Sequence, residues 1–287
     1  MESVWSGSSS GAFFDADALE KSRRLESAES ENTMKNKNHY YVISVDVART
    51  KSCQTAITIF KVEPQPYGAS LKKLVNIFTY EEEHFGFQAL RLKQLYERYQ
   101  PKQIVIDANG LGIGLIDFMV IPTVDPETGE VYPGFTPSND ESGLYKRFEQ
   151  AEGVVKNSIF MVKANAQLNT IMHSNTAIQM KAGRIQLLVD ERQKKAELLS
   201  SVRGEAMSQS ERAAFLRPYA LTGILKEEML NLREETEGVN IILKRESARL
   251  TKDKFSAFEM GLYYIKYLED TGKKKKKFGL SELMFIN

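Results

Sequence analysis

Two aspartates stand where a carboxylate is hard to explain by packing. Asp46 lies inside the apolar run Val42, Ile43, Ser44, Val45, Asp46, Val47, and Asp107 closes a second one, Ile104, Val105, Ile106. Desolvating a lone carboxylate is costly unless it is paired, hydrogen-bonded or metal-bound. If the two runs are neighbouring strands, about 4.8 Å apart, their terminal carboxylates can share a cation, and two metals about 3.5–4 Å apart fit the same span. Hard oxygen donors of this kind suit Mg²⁺ or Mn²⁺. Aspartate is also a favoured turn former, and Asn109 and Gly110 follow Asp107, so a plain strand-end turn is the competing reading there.

A third aspartate is less distinctive. Asp253 in Thr251, Lys252, Asp253, Lys254, Phe255 stands where a helical stripe begins, a place that suits a helix N-cap and a ligand equally. Arg49 and Lys51, just beyond Asp46, and Lys252 and Lys254, on either side of Asp253, are candidate phosphate contacts. Glu81, Glu82 and Glu83 beside His84 read as a solvated loop at a helix start, and Asp190 with Glu191 as a cap. Asp117, on the helix after the glycine turn, and Asp190 are in reserve as ligands.

The elements that would position these residues follow from periodicity. Tyr40 to Val47 reads as a strand buried on both faces, followed by strands at Ala56 to Val62 and Leu71 to Tyr80 in an antiparallel meander. Phe87, Leu90, Leu95 and Tyr99 stripe a helix ended by Pro101, and the strand Gln103 to Ile106 leads into Asp107 and the turn Asn109 to Gly114. Pro122 to Gly153 reads as an insertion around a small hairpin. Then come a strand at Ile159 to Lys163, a helix with Leu168, Ile171, Met172 and Ile178, and an extended stretch from Arg184. Helical stretches near 191–203 and 219–235, a β-branched run Val239 to Lys244, and a final helix striped by Phe255, Phe258, Leu262, Ile265 and Leu268 complete the chain. This order predicts an α/β fold, a mixed sheet with helices on both faces, in which ligands sit beyond the carboxyl ends of the strands.

Composition narrows the chemistry. The 287 residues are 42% hydrophobic and 27% charged, which suits a globular chain. One cysteine, Cys53, excludes an internal disulfide, and with only His39, His84 and His173 no zinc spacing can be written, so a metal would sit on oxygen. No apolar run is long enough for a membrane span and no signal peptide is legible, which places the chain in the cytoplasm. The glycine turn lacks dinucleotide-fingerprint spacing, and no Gly-Lys-Ser or Gly-Lys-Thr of a P-loop occurs. Residues 1–38, rich in Ser, Glu and Asn, read as a linker or the remnant of an upstream domain, residues 39–270 as the body, and 271–287 as a basic tail with the run Lys273 to Lys277.

The segments ISVDVARTKSCQTAITIF, QIVIDANGLGIGLIDFM and TKDKFSAFEMGLYYI, in this order, resemble the nuclease domain of the large terminase subunit of tailed bacteriophages. The resemblance covers about residues 39–268. It implies a ribonuclease H-like fold that cuts concatemeric double-stranded viral DNA during packaging, with Asp46, Asp107 and Asp253 as ligands of two Mg²⁺ or Mn²⁺ ions. It further implies, as partners, an ATPase domain, a small terminase subunit and the portal, with the host cytoplasm at the procapsid as the place of work. The family's ATPase domain is absent here, so translocation is not expected of this chain alone. SVWSGSSSGAFF is similar to the junction after that domain, so the resemblance leads us to expect an excised or separately encoded C-terminal part. Two alternatives stay open: another ribonuclease H-like nuclease of the Holliday-junction resolvase or transposase type, and a non-catalytic module docking on DNA or the portal.

Overall fold

A computed structural model describes residues 11–32, 38–48, 54–81 and 84–283, with side chains through residue 272. Strands β1 (Arg23–Leu25), β2 (Tyr40–Asp46), β3 (Gln54–Glu63) and β4 (Leu71–Glu81) come first, after helix α1 (Ala16–Ser22). β2, β3 and β4 form the expected antiparallel meander, and α2 (Phe85–Tyr99) crosses over to β5 (Ile104–Asp107), which lies parallel to β2. Then follow α3 (Leu111–Met119), the small hairpin β6 (Thr123–Val124) and β7 (Val131–Tyr132), β8 (Phe135–Pro137), β9 (Val155–Val162), α4 (Ala166–Lys181) and β10 (Ile185–Leu188). The last part holds α5 (Glu191–Leu199), α6 (Val202–Ala206), α7 (Gln209–Leu230), the hairpin β11 (Leu232–Glu237) and β12 (Asn240–Arg245), and α8 (Asp253–Leu283). Among the described residues the main sheet has eight strands, in the order β1-β10-β4-β3-β2-β5-β9-β8, with parallel and antiparallel pairs.

Alternation along the central strands divides the core in two. Ile43, Val45, Ile104 and Ile106 face α2 and α3, whereas Val42 and Val105 face α8, beside Phe258 and Leu262. α8 lies unusually close to the sheet because of Gly261: a Cβ there would stand 2.5 Å from the Phe60 ring and 3.1 Å from the Ser44 Cβ. The Thr58 hydroxyl donates to the Ala257 carbonyl (3.2 Å), a side-chain tie between β3 and the same helix. Further along α8, Glu269 accepts from the buried Lys72 ammonium at 2.8 Å. α8 is thereby held along its length, and its first turn is aimed at the ends of β2 and β5.

Three elements differ from the sequence reading. Residues 11–32, read as part of a linker, carry α1 and β1 and put Phe14 and Leu19 into the core, while Glu29 pairs with Lys61 at 2.8 Å and donates its backbone N–H to Val75. The apolar side chains there are few, but each meets a surface built by distant residues. The helix expected at 219–235 begins at Gln209 behind a capping box, Ser208 with Glu211, runs through Pro218, and stops at Leu230. Leu232–Glu237 then pairs with Asn240–Arg245, because a hairpin satisfies the backbone of both runs, whereas a helix continued to residue 235 would leave the β-branched second run without a partner strand. Within the expected insertion β6 and β7 form the small hairpin, and β8 joins the main sheet beside β9.

Candidate metal centre

β2 and β5 run side by side with Val45 opposite Ile106, so the next residues, Asp46 and Asp107, end the two strands at one edge of the sheet. Both share the pleat parity of Val42 and Val105 and therefore project toward α8. Asp253 is the first residue of α8, and its carboxylate Oδ2 accepts the backbone N–H of Gln54 at 3.1 Å. Gln54 opens β3, two residues before Ala56, the partner of Asp46. All three aspartates are half-buried, so each keeps an open side toward solvent.

The electrostatics of this edge are those of crowded anions. Burial, followed by the negative charges of Asp253 and Asp107, pushes the Asp46 carboxyl up to about 8; Lys252 and a hydrogen bond from Ser256 oppose the shift. Burial also raises Asp107, against hydrogen bonds from Asn109, whose backbone N–H donates to Asp107 Oδ1 at 2.9 Å. The Asn109 amide in turn donates to the Ala164 carbonyl (3.0 Å), tying the turn after β5 to the end of β9. A cation among these oxygens would remove the strain that keeps Asp46 from ionising.

The donor set suits a hard divalent ion that retains part of its water shell. Among the described residues no three His, Cys, Asp or Glu side chains converge closely enough to hold one ion by themselves. Mg²⁺ is commonly bound through one or two carboxylates with waters and substrate oxygens completing the octahedron, so an open edge of this kind is compatible with it.

Gly112 sets the position of Asp107. A Cβ there would fall 1.5 Å from the Asp107 carbonyl oxygen, so only glycine lets the first turn of α3 lie against the strand end. Gly112→Ala is expected to destabilise the protein by about 1–3 kcal/mol, as overpacking does. It should weaken metal-induced thermal stabilisation more than Gly223→Ala, a helical site where an added Cβ meets nothing within 4 Å. Equal losses in the two variants, read by thermal melts with and without Mn²⁺, would refute this.

The other sequence-derived candidates disperse. Arg49, Lys51, Glu82, Glu83 and Cys53 lie outside the described residues, as do the side chains of Lys273 to Lys277. Lys252 is exposed just before α8. Lys254 is not: it is 3% exposed, with its ammonium 3.3 Å from Glu228 and 3.3 Å from Gln54 Oε1, because its position on α8 turns it toward α7. That corrects its reading as a DNA contact. Glu81 pairs with the Gln54 side chain, and His84 caps α2 by accepting from Gly86 at 3.1 Å. Asp117 accepts from the Tyr145 hydroxyl (3.0 Å), and Asp190 caps α5 and pairs with Arg23 at 3.2 Å. Gln54 and Ser256, absent from the sequence reading, touch the aspartates only through the tertiary fold.

A groove of about 1240 Å³ lies beside this edge, between the end of β4 and α5 and α7; Tyr80, Glu81, Lys195, Arg212 and Arg217 line it, and none of the three aspartates does. No helix among the described residues is long and apolar enough to cross a membrane.

No protein-family model matches the sequence, and no curated protein matches it. Among solved structures the chain is similar to the large terminase nuclease of thermophilic phage G20c with bound magnesium: identity is 12%, coverage 88% of this chain and 97% of that one, and the TM-score 0.51. The same nuclease with bound cobalt gives 12% identity, the same coverage and a TM-score of 0.50. Identity this low carries the fold and assigns no residue its role. The chain thus has the ribonuclease H-like α/β fold of large terminase nuclease domains, a mixed sheet flanked by helices.

Proposed function

We propose that the chain is a metal-dependent endonuclease that cuts double-stranded viral DNA concatemers during genome packaging, with Asp46, Asp107 and Asp253 as ligands of Mg²⁺ or Mn²⁺. One observation carries the reading: two neighbouring strand ends and the start of α8 bring three carboxylates to one edge, where burial first and the charges of Asp253 and Asp107 next push the Asp46 carboxyl up to about 8. The bound magnesium and cobalt of the similar G20c nuclease support a divalent ion. A pair of such ions would supply an activated water and charge stabilisation for the leaving 3′ oxygen.

The chain's own residues supply the rest. Asp46, whose carboxyl feels the charges of both Asp107 and Asp253, would hold the ions together with those two residues. Asn109 and Gln54 fix the carboxylates from behind by hydrogen bonds, leaving the solvent side for water and a phosphate oxygen. Lys252, exposed beside Asp253, offers a cation to the DNA backbone. The partners fitting this role are duplex DNA, an ATPase domain, a small terminase subunit and the portal, in the cytoplasm of the infected host.

Incubation of the purified chain with supercoiled plasmid tests the reading. Mg²⁺ or Mn²⁺ should give nicked and linear products, and EDTA none. Cutting confined to four-way junctions would transfer the chain to the resolvase class. Retention of DNA without any cutting would make it a docking module.

A further inference from the structure

The N-cap position of α8 carries no acceptor side chain. Lys252 occupies the position where an N-cap would stand, and an ammonium has donors only, so it cannot accept the free amides of the first turn. The acceptor comes from another helix. Glu228, in the last turn of α7 and 0% exposed, accepts the backbone N–H of Phe255 at Oε2 (2.9 Å). Phe255 is the third residue of α8, and its amide is one that an N-cap side chain ordinarily takes. The other oxygen of Glu228 accepts the Thr251 hydroxyl at 2.9 Å and the Lys254 ammonium at 3.3 Å. One buried carboxylate therefore grips the Thr251 hydroxyl, the Lys254 ammonium and the Phe255 backbone, on both sides of Asp253, without touching Asp253 itself.

We propose that Glu228 is the positioning residue for the third carboxylate of the site: by capping α8 from α7 it releases Asp253 to face Asp46. The inference rests on the metal reading above. Aspartate is among the preferred caps, so without Glu228 the adjacent carboxylate of Asp253 would compete for the uncapped amide. Its carboxylate would turn from Gln54 toward its own helix, and the metal site would lose one side. With Glu228 in place the amide of Phe255 is satisfied, and Asp253 takes its hydrogen bond from β3 instead.

The test separates capping from charge. Removing Glu228 alone would strand the buried Lys254 ammonium, so both variants carry Lys254→Met. Glu228→Gln/Lys254→Met keeps an oxygen for the Phe255 amide; Glu228→Leu/Lys254→Met does not. Mn²⁺ binding is measured by calorimetry beside the wild-type chain. The glutamine variant should bind within a few-fold of wild type, and the leucine variant roughly 10–100-fold more weakly, the range typical for groups that orient metal ligands. Cleavage should fall in step, with unchanged KM for DNA. Equal Mn²⁺ affinity in the two variants overturns the proposal. If the leucine variant does not fold, the glutamine variant decides alone: a loss of about tenfold or more there, with the oxygen retained, refutes the capping role. Absence of Mn²⁺ binding by the wild-type chain is a different failure, since it removes the metal reading and this inference with it.

Discussion

Asp46→Asn is expected to abolish metal-dependent cleavage and, in EDTA, to raise the melting temperature. The substitution keeps the volume and removes one of the three carboxylate charges, so the fold has little to lose. The stability gain follows from linkage. Burial first, and Asp253 and Asp107 next, lift Asp46 in the folded chain to about 8, far above an unfolded aspartate near 3.9. A carboxyl raised in this way favours the folded state at pH below about 4, and that contribution is lost progressively as pH rises toward 8. Near pH 8.5 the metal-free wild type carries the whole penalty, on the order of a few kcal/mol, and the asparagine variant carries none of it. For a domain of this size that corresponds to roughly 5–10 °C. Scanning calorimetry in EDTA at pH 5 and pH 8.5 should show the variant's advantage at the higher pH and little of it at the lower. Wild-type cutting by Asp46→Asn, or a lower melting temperature at pH 8.5, would remove Asp46 from the centre of the site.

How far the arrangement is legible in the sequence depends on how local its causes are. Asp46 and Asp107 announce themselves because a carboxylate in an apolar strand is a local contradiction, and the meander of β2 to β4 follows from β-branched runs punctuated by turn residues. The helix crossover between β2 and β5 then requires the two strand ends to lie on the same edge. Glu228 gives no such sign. Its role exists only because α7 ends against the start of α8, and a glutamate in an amphipathic helix otherwise reads as solvated. Lys254 misleads for the same reason: beside Asp253 it resembles a surface cation, and only the approach of α7 buries it. Residues 11–32 were hidden by shortness, since a three-residue strand and a seven-residue helix carry almost no periodicity, and Phe14 and Leu19 are apolar anchors whose partners lie far along the chain.

Asp253→Ser is the second large expected effect, because the cap and the ligand ask for the same residue type at the same place and part only on substitution. Serine keeps a small polar oxygen and loses the charge. As a cap it would serve nearly as well as aspartate. The first turn of α8, however, is served by Glu228, and the Asp253 carboxylate accepts from Gln54 on β3, so little folding stability depends on capping by residue 253. The expected cost is that of one hydrogen bond, about 0.5–1.5 kcal/mol, which a thermal melt would register as a few degrees at most. Cleavage should nearly vanish, and Mn²⁺ should bind measurably more weakly in calorimetry, since a hydroxyl supplies little of a carboxylate's attraction for a hard dication. Near-normal cutting by Asp253→Ser would leave Asp253 a structural residue. The reserve candidates would not easily replace it: Asp117 accepts from the Tyr145 hydroxyl, and Asp190 is committed to capping α5 and to Arg23. That outcome would reduce the centre to Asp46 and Asp107, with substrate oxygens and water making up the remaining ligands.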